Sequence, residues 1–541
     1  MLYLMYIQLS IKNKFKMKKA RILLITPNLK GISDGTNRIQ PSLGLMLIGE
    51  LLIKEGHVVK IYDSALDGWK NRKIIDPKNK IILIGDSDEV IRDKIRKFDP
   101  DIVAISVLFS NLLDSAHNIA RITKEINPNT LTLLGGNHIS NAVLDYKYSL
   151  TDKRLNLLDF IPDLENSNFD YAMTGEGEYS MIELAKNYKN KEYLEKIPGL
   201  VKKIGNKKYI INTPKRIHDL NDLPVPNRDL VDMEAYFDIG AFHSAKSRSN
   251  RVLSVMCSRG CPEKCTFCTT PDMWGNKIRW RSSEHIMREI KNDVEKYDIG
   301  EIQFDDDTLT ANIKHLYSLC DELAKIGLPW CTPNGIKVNY HQKKHDEMFK
   351  KMFDSGCYQV TLACESGVQR VLDEIVHKRL PLDSIYPAIE SAKKAGLLVH
   401  TFWILGYPGE TYEEMNQTIE FALNSGADSF SFSILSPLPG TPIYREVMKK
   451  NLWWPGKKLE DMLFASSLIQ VDGFNNPDEF EQKWTGDFVF ENEWQSFRTK
   501  DQASLELTTS TKEMSKNETT IAVKVVDIFG NDTMKIMKVK L

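Results

Sequence analysis

The sequence predicts an α/β protein made of two successive parallel-sheet units and a short β-rich tail. Three observations carry this expectation. Short apolar runs alternate with longer amphipathic stretches through most of the 541 residues, the rhythm of β/α units. The alternation is interrupted around 196–250, where Leu223-Pro-Val-Pro-Asn-Arg-Asp-Leu suits an extended connector. Past residue 470 a period-two pattern replaces it.

Each element follows from its own residues. Residues 1–16 are apolar but too short to span a bilayer, and no basic segment precedes them. They are expected to be a tail, or to lie ahead of a true start at Met17. Arg21-Ile-Leu-Leu-Ile-Thr-Pro27 is an apolar run closed by proline, a strand buried on both faces. Leu43–Gly56 has helical spacing with the glycine as its stop. Strands follow at His57–Asp63, Asp101–Ser106 and Thr130–Gly136. This first unit, 17–195, reads as an open parallel sheet with helices on both faces, which binds ligands beyond the carboxyl ends of its strands. The connector holds a small hairpin, Ile197–Lys203 with Tyr209–Asn212. In the second unit, 251–470, strands are expected at Arg251–Cys257, Glu301–Asp305, Trp330–Gly335, Gln359–Cys364, Leu398–Leu405 and Ser429–Leu435, with helices such as Ser283–Lys296 and Leu382–Ala395 between them. The tail, 471–541, alternates at Phe488–Glu491, Ala503–Thr509 and Ile521–Phe529, with a turn at Gly530-Asn-Asp.

Composition narrows the function. Lys and Arg total 72 against 73 Asp and Glu, a net charge of −1, so there is no basic footprint for nucleic acid. All eight cysteines fall between 257 and 364 with no secretory signal, which suits a reducing cytoplasm. No transmembrane segment is evident.

Three of those cysteines are spaced Cys261-Pro-Glu-Lys-Cys265-Thr-Phe-Cys268. Three thiolates this close can hold a four-iron cube by three corners and leave one iron open for chemistry. A zinc site is the alternative, with Cys257 as fourth ligand, though structural zinc sites draw ligands as two separated pairs. Cys257 reads better as a small buried hydrophobe at a strand end, and Cys320, Cys331, Cys357 and Cys364 as core.

The spacing, with Phe267 directly before the third cysteine, resembles the radical S-adenosylmethionine (radical SAM) superfamily. The resemblance implies a [4Fe-4S] cluster on Cys261, Cys265 and Cys268 whose free iron binds SAM, and a 5′-deoxyadenosyl radical on reduction. It also implies that the six β/α units form a partial (β/α)6, TIM-like barrel with its active groups at the carboxyl ends of the strands. The motifs fall at those ends. Asp305-Asp306-Asp307 follows the second strand, where Asp306 or Asp307 could accept hydrogen bonds from the SAM ammonium group, or form a solvated acidic turn. Glu365-Ser366-Gly367 follows the fourth strand, where the family binds SAM ribose and carboxylate. Gly406-Tyr-Pro-Gly-Glu-Thr and Pro437-Leu-Pro-Gly-Thr-Pro follow the fifth and sixth, and resemble family signatures that frame the adenine.

The first unit resembles the Rossmann-like cobalamin-binding domain found ahead of many such barrels. Pro41-Ser-Leu-Gly44, Gly135-Gly136-Asn-His138 and Gly175-Glu176-Gly177-Glu178 carry that resemblance, which implies that these loops approach the corrin ring. The pattern departs from many cobalamin domains at Asp63-Ser-Ala65-Leu-Asp-Gly68, which has alanine where a cobalt-ligating histidine would stand. His138 is a weak substitute, better suited to a local hydrogen bond or the corrin edge.

The implied function is a cobalamin-dependent radical SAM enzyme that methylates an unactivated carbon of a small molecule, fed by a donor such as flavodoxin or ferredoxin. An oxidative cyclase or rearrangement enzyme with the same cofactors is the alternative within the family. A non-catalytic iron–sulfur or zinc-stapled binding protein is the alternative outside it. Methylthiotransferases would need a second cluster, and no cysteine precedes Cys257. Trp274, Trp280, Trp330 and Trp403 could line a substrate pocket or be barrel core.

Overall fold

The computed structural model describes residues 19–480 except 34–36, 153–154, 156–160, 245 and 464–465, together with the backbone of 518–526 and 532–540. The first unit contains β1 (Arg21–Thr26), β2 (Leu29–Ile32), β3 (Val58–Asp63), β4 (Arg72–Asp76), β5 (Ile81–Ile84), β6 (Ile102–Ser106), β7 (Leu131–Gly135), β8 (Tyr171–Met173), β9 (Leu200–Gly205) and β10 (Lys208–Ile211). Seven of these form one sheet in the order β10-β9-β8-β7-β6-β1-β3. From β8 to β3 all neighbours are parallel. The chain therefore reverses its direction of travel across the sheet between β1 and β6, and a ligand crevice belongs beyond the carboxyl ends there.

β1 explains its own unbroken apolar run. Ile22 and Leu24 pack against the helices Leu43–Lys54 and Glu178–Asn187 on one face, while Leu23 and Ile25 face Leu113–Ile126 and Asn137–Thr151 on the other. Both faces are covered, so no position can be polar.

Two features differ from the expectation. The hairpin read into the connector is β9–β10, and β9 pairs with β8 through Ala172↔Val201 and Met173↔Leu200, extending the sheet. A three-stranded antiparallel sheet, β2-β5-β4, also sits beside the main one. Its strands are short, and β4 is largely exposed, so they carry little apolar periodicity.

The second unit contains β11 (Val252–Val255), β12 (Ser258–Arg259), β13 (Arg279–Trp280), β14 (Glu301–Phe304), β15 (Trp330–Ile336), β16 (Cys357–Glu365), β17 (Leu398–Leu405) and β18 (Ser429–Ile434). The sheet order is β11-β14-β15-β16-β17-β18, all parallel and in chain order, which is the expected partial barrel. Its core contains Trp330 and Trp403, both fully buried, so neither lines a pocket. Trp280 lies against the His315 ring, and the Arg259 guanidinium covers Trp274. The end of the connector threads the barrel: Gln303 accepts from Ser244 N (3.1 Å), and Glu301 accepts from Ser249 N (3.2 Å).

Residues just past 470 pack on the barrel, with Val471 and Phe480 against Leu405, Met415 and Ile434. At the far end of the tail, β19 (Glu518–Val526) and β20 (Asp532–Lys540) form the expected antiparallel hairpin. The strands expected at 488–491 and 503–509 lie outside the described residues.

Candidate active site at the facing strand ends

The cysteine loop leaves the barrel at Arg259 on β12 and returns at Arg279 on β13; the two residues pair across that short ladder. Gly260 follows at φ +111°, and a Cβ there would lie 2.7 Å from the Lys277 carbonyl oxygen. Only glycine allows so tight a neck. Cys261 N donates to Gly275 O (3.0 Å), and Cys268 N to Cys265 O (3.1 Å). Thr266 N donates to Val376 O (2.9 Å), fixing the loop to the segment after β16.

Burial pushes the Cys261 thiol up to about 12 and Cys265 to about 11, and raises Cys268; neighbouring thiols add to the shift on Cys261 and Cys265. Metal binding would therefore have to displace their protons. Among the described residues no three His, Cys, Asp or Glu side chains converge as a cage for a single ion. A four-iron cube makes no such demand, because each thiolate meets a different iron. Cys257 is fully buried, and Asp306, Arg281 and Glu289 are its charged neighbours. It sits in the core, as expected.

The strand-end acids divide their tasks. Asp306 is buried and accepts from Cys257 N (3.0 Å) and Ser258 Oγ, so it fastens the end of β11. Asp307 accepts from Thr270 Oγ1 (3.3 Å) and bears electrostatically on Cys261 and Cys268. Burial raises both carboxyls to about 6. Glu365 stands at φ +69° and accepts from Lys378 Nζ at 2.8 Å. Two more left-handed residues, His377 and Arg379, flank Lys378 and turn its ammonium inward, where it bears on Cys265 and Cys268. Strained non-glycine positions of this kind cluster at functional sites. Ser366 bonds to Thr418 Oγ1 (3.1 Å). Phe267 lies 6.2 Å from the Tyr407 ring. The amides of Gly406 and Tyr407 donate to Glu410 Oε2 (2.8 and 3.1 Å), and burial pushes that carboxyl up to about 8. Tyr407 Oη, Glu410 Oε1 and Ser436 Oγ, next to Pro437, are buried without a partner among the described residues.

On the other sheet Gly136, after β7, stands at φ +99° with a would-be Cβ 2.4 Å from Val107 O, so it lets the loops after β6 and β7 meet. Gly135 has no such constraint. Pro41 is buried, and Gly44 beside it is exposed. Both His138 nitrogens are taken, by Ser110 Oγ (2.8 Å) and Asp163 Oδ2 (3.1 Å), which leaves none for cobalt. Burial alone would raise Asp163, but His138 and His117 more than offset it and hold the carboxyl low. Ala65 is buried in the core.

Glu176 lies in the turn that the family resemblance brings toward the corrin, and its carboxylate is engaged by the barrel unit and the connector. It accepts from Arg259 Nη1 (3.0 Å), Arg279 Nη1 (2.9 Å) and Ile217 N (2.7 Å). Gly175 (φ +74°) and Gly177 shape that turn. Sequence reasoning missed Arg259, Arg279, Lys378 and Glu410. Arg259 and Glu410 lie within or beside recognised motifs, and that adjacency was the available signal.

The two units meet at these strand ends. Asp145, on the helix after β7, accepts from Arg445 (3.0 Å) and from the amide of Gly440 in the loop after β18. Comparison with known proteins decides the family. The chain matches the radical SAM superfamily model over residues 255–422 and the B12-binding domain model over 36–149. It is 30% identical to cytidylyl-2-hydroxyethylphosphonate methyltransferase of Streptomyces wedmorensis, covering 86% of this chain and 90% of that one.

This chain belongs to the cobalamin-dependent radical SAM family.

An uncharacterized methyltransferase of Pyrococcus horikoshii is 31% identical, over 81% of this chain and 85% of the relative. Two solved structures share the fold at 15% identity. The radical SAM methyltransferase TsrM from Kitasatospora setae has a TM-score of 0.59 and covers 86% of this chain and 83% of its own. The cobalamin-dependent radical enzyme OxsB has a TM-score of 0.64 and covers 87% and 67%. The cofactors of this radical SAM enzyme are a [4Fe-4S] cluster, SAM and cobalamin. The loop thiols and the unpartnered buried atoms at the barrel tips fit the first two. The cobalamin domain fits the third, without a protein ligand from Ala65 or His138.

Proposed function

We propose that this enzyme methylates an unactivated carbon of a small molecule, with Cys261, Cys265 and Cys268 as the cluster ligands. The observation that carries the reading is the meeting of the two units: Glu176, in the turn after β8, and Asp145, on the helix after β7, bond directly to residues of the barrel unit. Ligands held at the two crevices would share one space. Bound there, the cluster and SAM supply a carbon-centred radical, and cobalamin supplies the methyl group.

The chain's own residues bind and enclose. Asp307 and Glu365 offer carboxylates toward the SAM ammonium and ribose. Lys378 balances Glu365 and the thiolates, while Phe267 and Tyr407 wall the site from water. Gly406 and Pro437 frame the adenine, and the loops that hold Gly44, Gly135 and Gly136 would face the corrin. A one-electron donor such as flavodoxin or ferredoxin, in a reducing cytoplasm, suits the eight free thiols. No described helix is long and apolar enough to cross a membrane. The first relative's name makes a nucleotidyl phosphonate the substrate class to try first.

The test is anaerobic reconstitution with iron, sulfide and hydroxocobalamin, then SAM and dithionite with a nucleotidyl phosphonate. Formation of 5′-deoxyadenosine together with S-adenosylhomocysteine and a product heavier by one methylene supports methyl transfer. Deoxyadenosine without S-adenosylhomocysteine points to cyclisation. No deoxyadenosine from cluster-loaded protein refutes the reading.

A further inference from the structure

The neck of the cysteine loop has an electrostatic problem. Arg259 and Arg279 stand directly opposite one another on the β12–β13 ladder, and like charges so placed repel. Both are poorly exposed, with side chains at 7% and 10%. Water cannot screen them, so a counter-charge must.

That charge comes from the other unit. Glu176 Oε1 accepts from Arg259 Nη1 at 3.0 Å, and Arg279 Nη1 lies 2.9 Å from both Glu176 oxygens. Glu178 Oε1 accepts from Arg259 Nη2 at 2.6 Å. The guanidinium of Arg259 covers Trp274, and Arg279 Nη2 donates to the Trp274 carbonyl at 2.9 Å, so both arginines also grip the far limb of the loop. Only Gly260 separates Arg259 from Cys261.

We infer that Glu176 and Glu178 are positioning residues for the iron–sulfur cluster: from the cobalamin-binding unit they clamp the neck of the cysteine loop through Arg259 and Arg279, so that docking of the two units sets the geometry of the cluster. The inference rests on the proposal that Cys261, Cys265 and Cys268 hold that cluster. It gives the Gly175-Glu176-Gly177-Glu178 turn a role toward the barrel. It also gives a physical reason why a metal centre on one unit would respond to the presence of the other.

The experiment uses the full chain, reconstituted anaerobically with iron and sulfide, in wild type and in Glu176→Gln, Glu178→Gln, Glu176→Gln/Arg279→Gln and Tyr236→Phe. The last removes a buried hydrogen bond by which the connector helix Met233–Ile239, packed in the barrel's core cluster, holds the first unit, Tyr236 Oη to Asp63 Oδ2 at 2.7 Å, away from the cysteine loop. It controls for loosened docking in general. Iron per chain and the EPR spectrum of the dithionite-reduced cluster are read with and without SAM. Glu176→Gln is expected to lower iron loading at least twofold and to split or broaden the EPR signal, with Glu178→Gln milder in the same direction. The double variant, which removes one of the opposed charges, should recover most of the wild-type signal, and Tyr236→Phe should match wild type. Wild-type iron and EPR in both glutamate variants overturn the inference. So does an equal disturbance in Tyr236→Phe, which would assign the effect to docking alone. If Glu176→Gln proves insoluble, Glu178→Gln and the double variant decide on the same criteria. Failure of the underlying reading looks different: wild type would take up no cluster, or Cys265→Ala would keep it.

Discussion

Glu410 offers the sharpest test of the barrel's electrostatics. Its carboxyl is fully buried, with Oε2 accepting from the amides of Gly406 and Tyr407 and Oε1 without a partner among the described residues. Burial is the dominant cause of its rise from 4.5 to about 8, and the two backbone hydrogen bonds only partly oppose it. The folded protein therefore keeps a proton that the unfolded chain releases above about pH 4.5. Stability from this group is complete below that pH and is lost as pH climbs through 8. At about 1.36 kcal/mol per pKa unit the total is near 5 kcal/mol, of which roughly 3 kcal/mol falls between pH 5 and 8. Glu410→Gln keeps an amide oxygen for the two backbone donors and removes the titration. Thermal unfolding of the two cofactor-free proteins from pH 5 to 8 should show the variant gaining on wild type by roughly 6–12 °C, at about 2–4 °C per kcal/mol for a unit of barrel size. Parallel profiles would refute the reasoning, since they would mean that Glu410 is already ionised at pH 5.

Two further outcomes follow from the same site. Cys265→Ala should lose the brown iron–sulfur absorbance after reconstitution, with iron falling to background, whereas Cys257→Ala should keep it; retention by both would point away from a three-cysteine centre. Lys378→Met leaves Glu365 buried without its counter-charge and should cost about 3–5 kcal/mol in urea unfolding, while Lys378→Met/Glu365→Gln should recover most of that, the signature of a coupled pair.

The parallel strands were legible because each is buried on both faces and so must be a continuous apolar run, as the alternating contacts of Ile22, Leu23, Leu24 and Ile25 demonstrate. The cysteine loop was legible because its three thiols lie within eight residues. What escaped is what depends on distant partners. The β9–β10 hairpin has the same local pattern whether it pairs with itself alone or joins a sheet, and only its bonds to β8 decide. Lys378 reads as a surface lysine until the left-handed residues beside it turn it toward Glu365. Glu176 sits in a glycine-framed loop at a strand end, which suits a ligand and a neighbouring domain equally well. Its partners Arg259 and Arg279 are 83 and 103 residues away.

The alanine at position 65 separates a missing ligand from a merely substituted one. If the Asp63–Gly68 turn were a histidine site that had lost its histidine, restoring the side chain would restore a bond to cobalt. The turn is built otherwise. Asp63 caps the Ser64–Asp67 helix by accepting from Ala65 N and Leu66 N, and its other oxygen takes the Tyr236 hydroxyl. The helix Met233–Ile239 closes over this turn, and Ala65, 3% exposed, shares its core with Met233, Tyr236 and Phe237. An imidazole there would meet filled space and cost about 1–3 kcal/mol as overpacking. Ala65→His should therefore lower the unfolding temperature, and the EPR spectrum of its bound cob(II)alamin should show no nitrogen superhyperfine splitting beyond that of wild type. A new splitting would mean that the connector helix moves aside and that the lower face of cobalt is open to residue 65. Its absence, with cobalamin still bound, would mean that this fold has given the position to the interface between its units, leaving the lower face without a ligand from this turn.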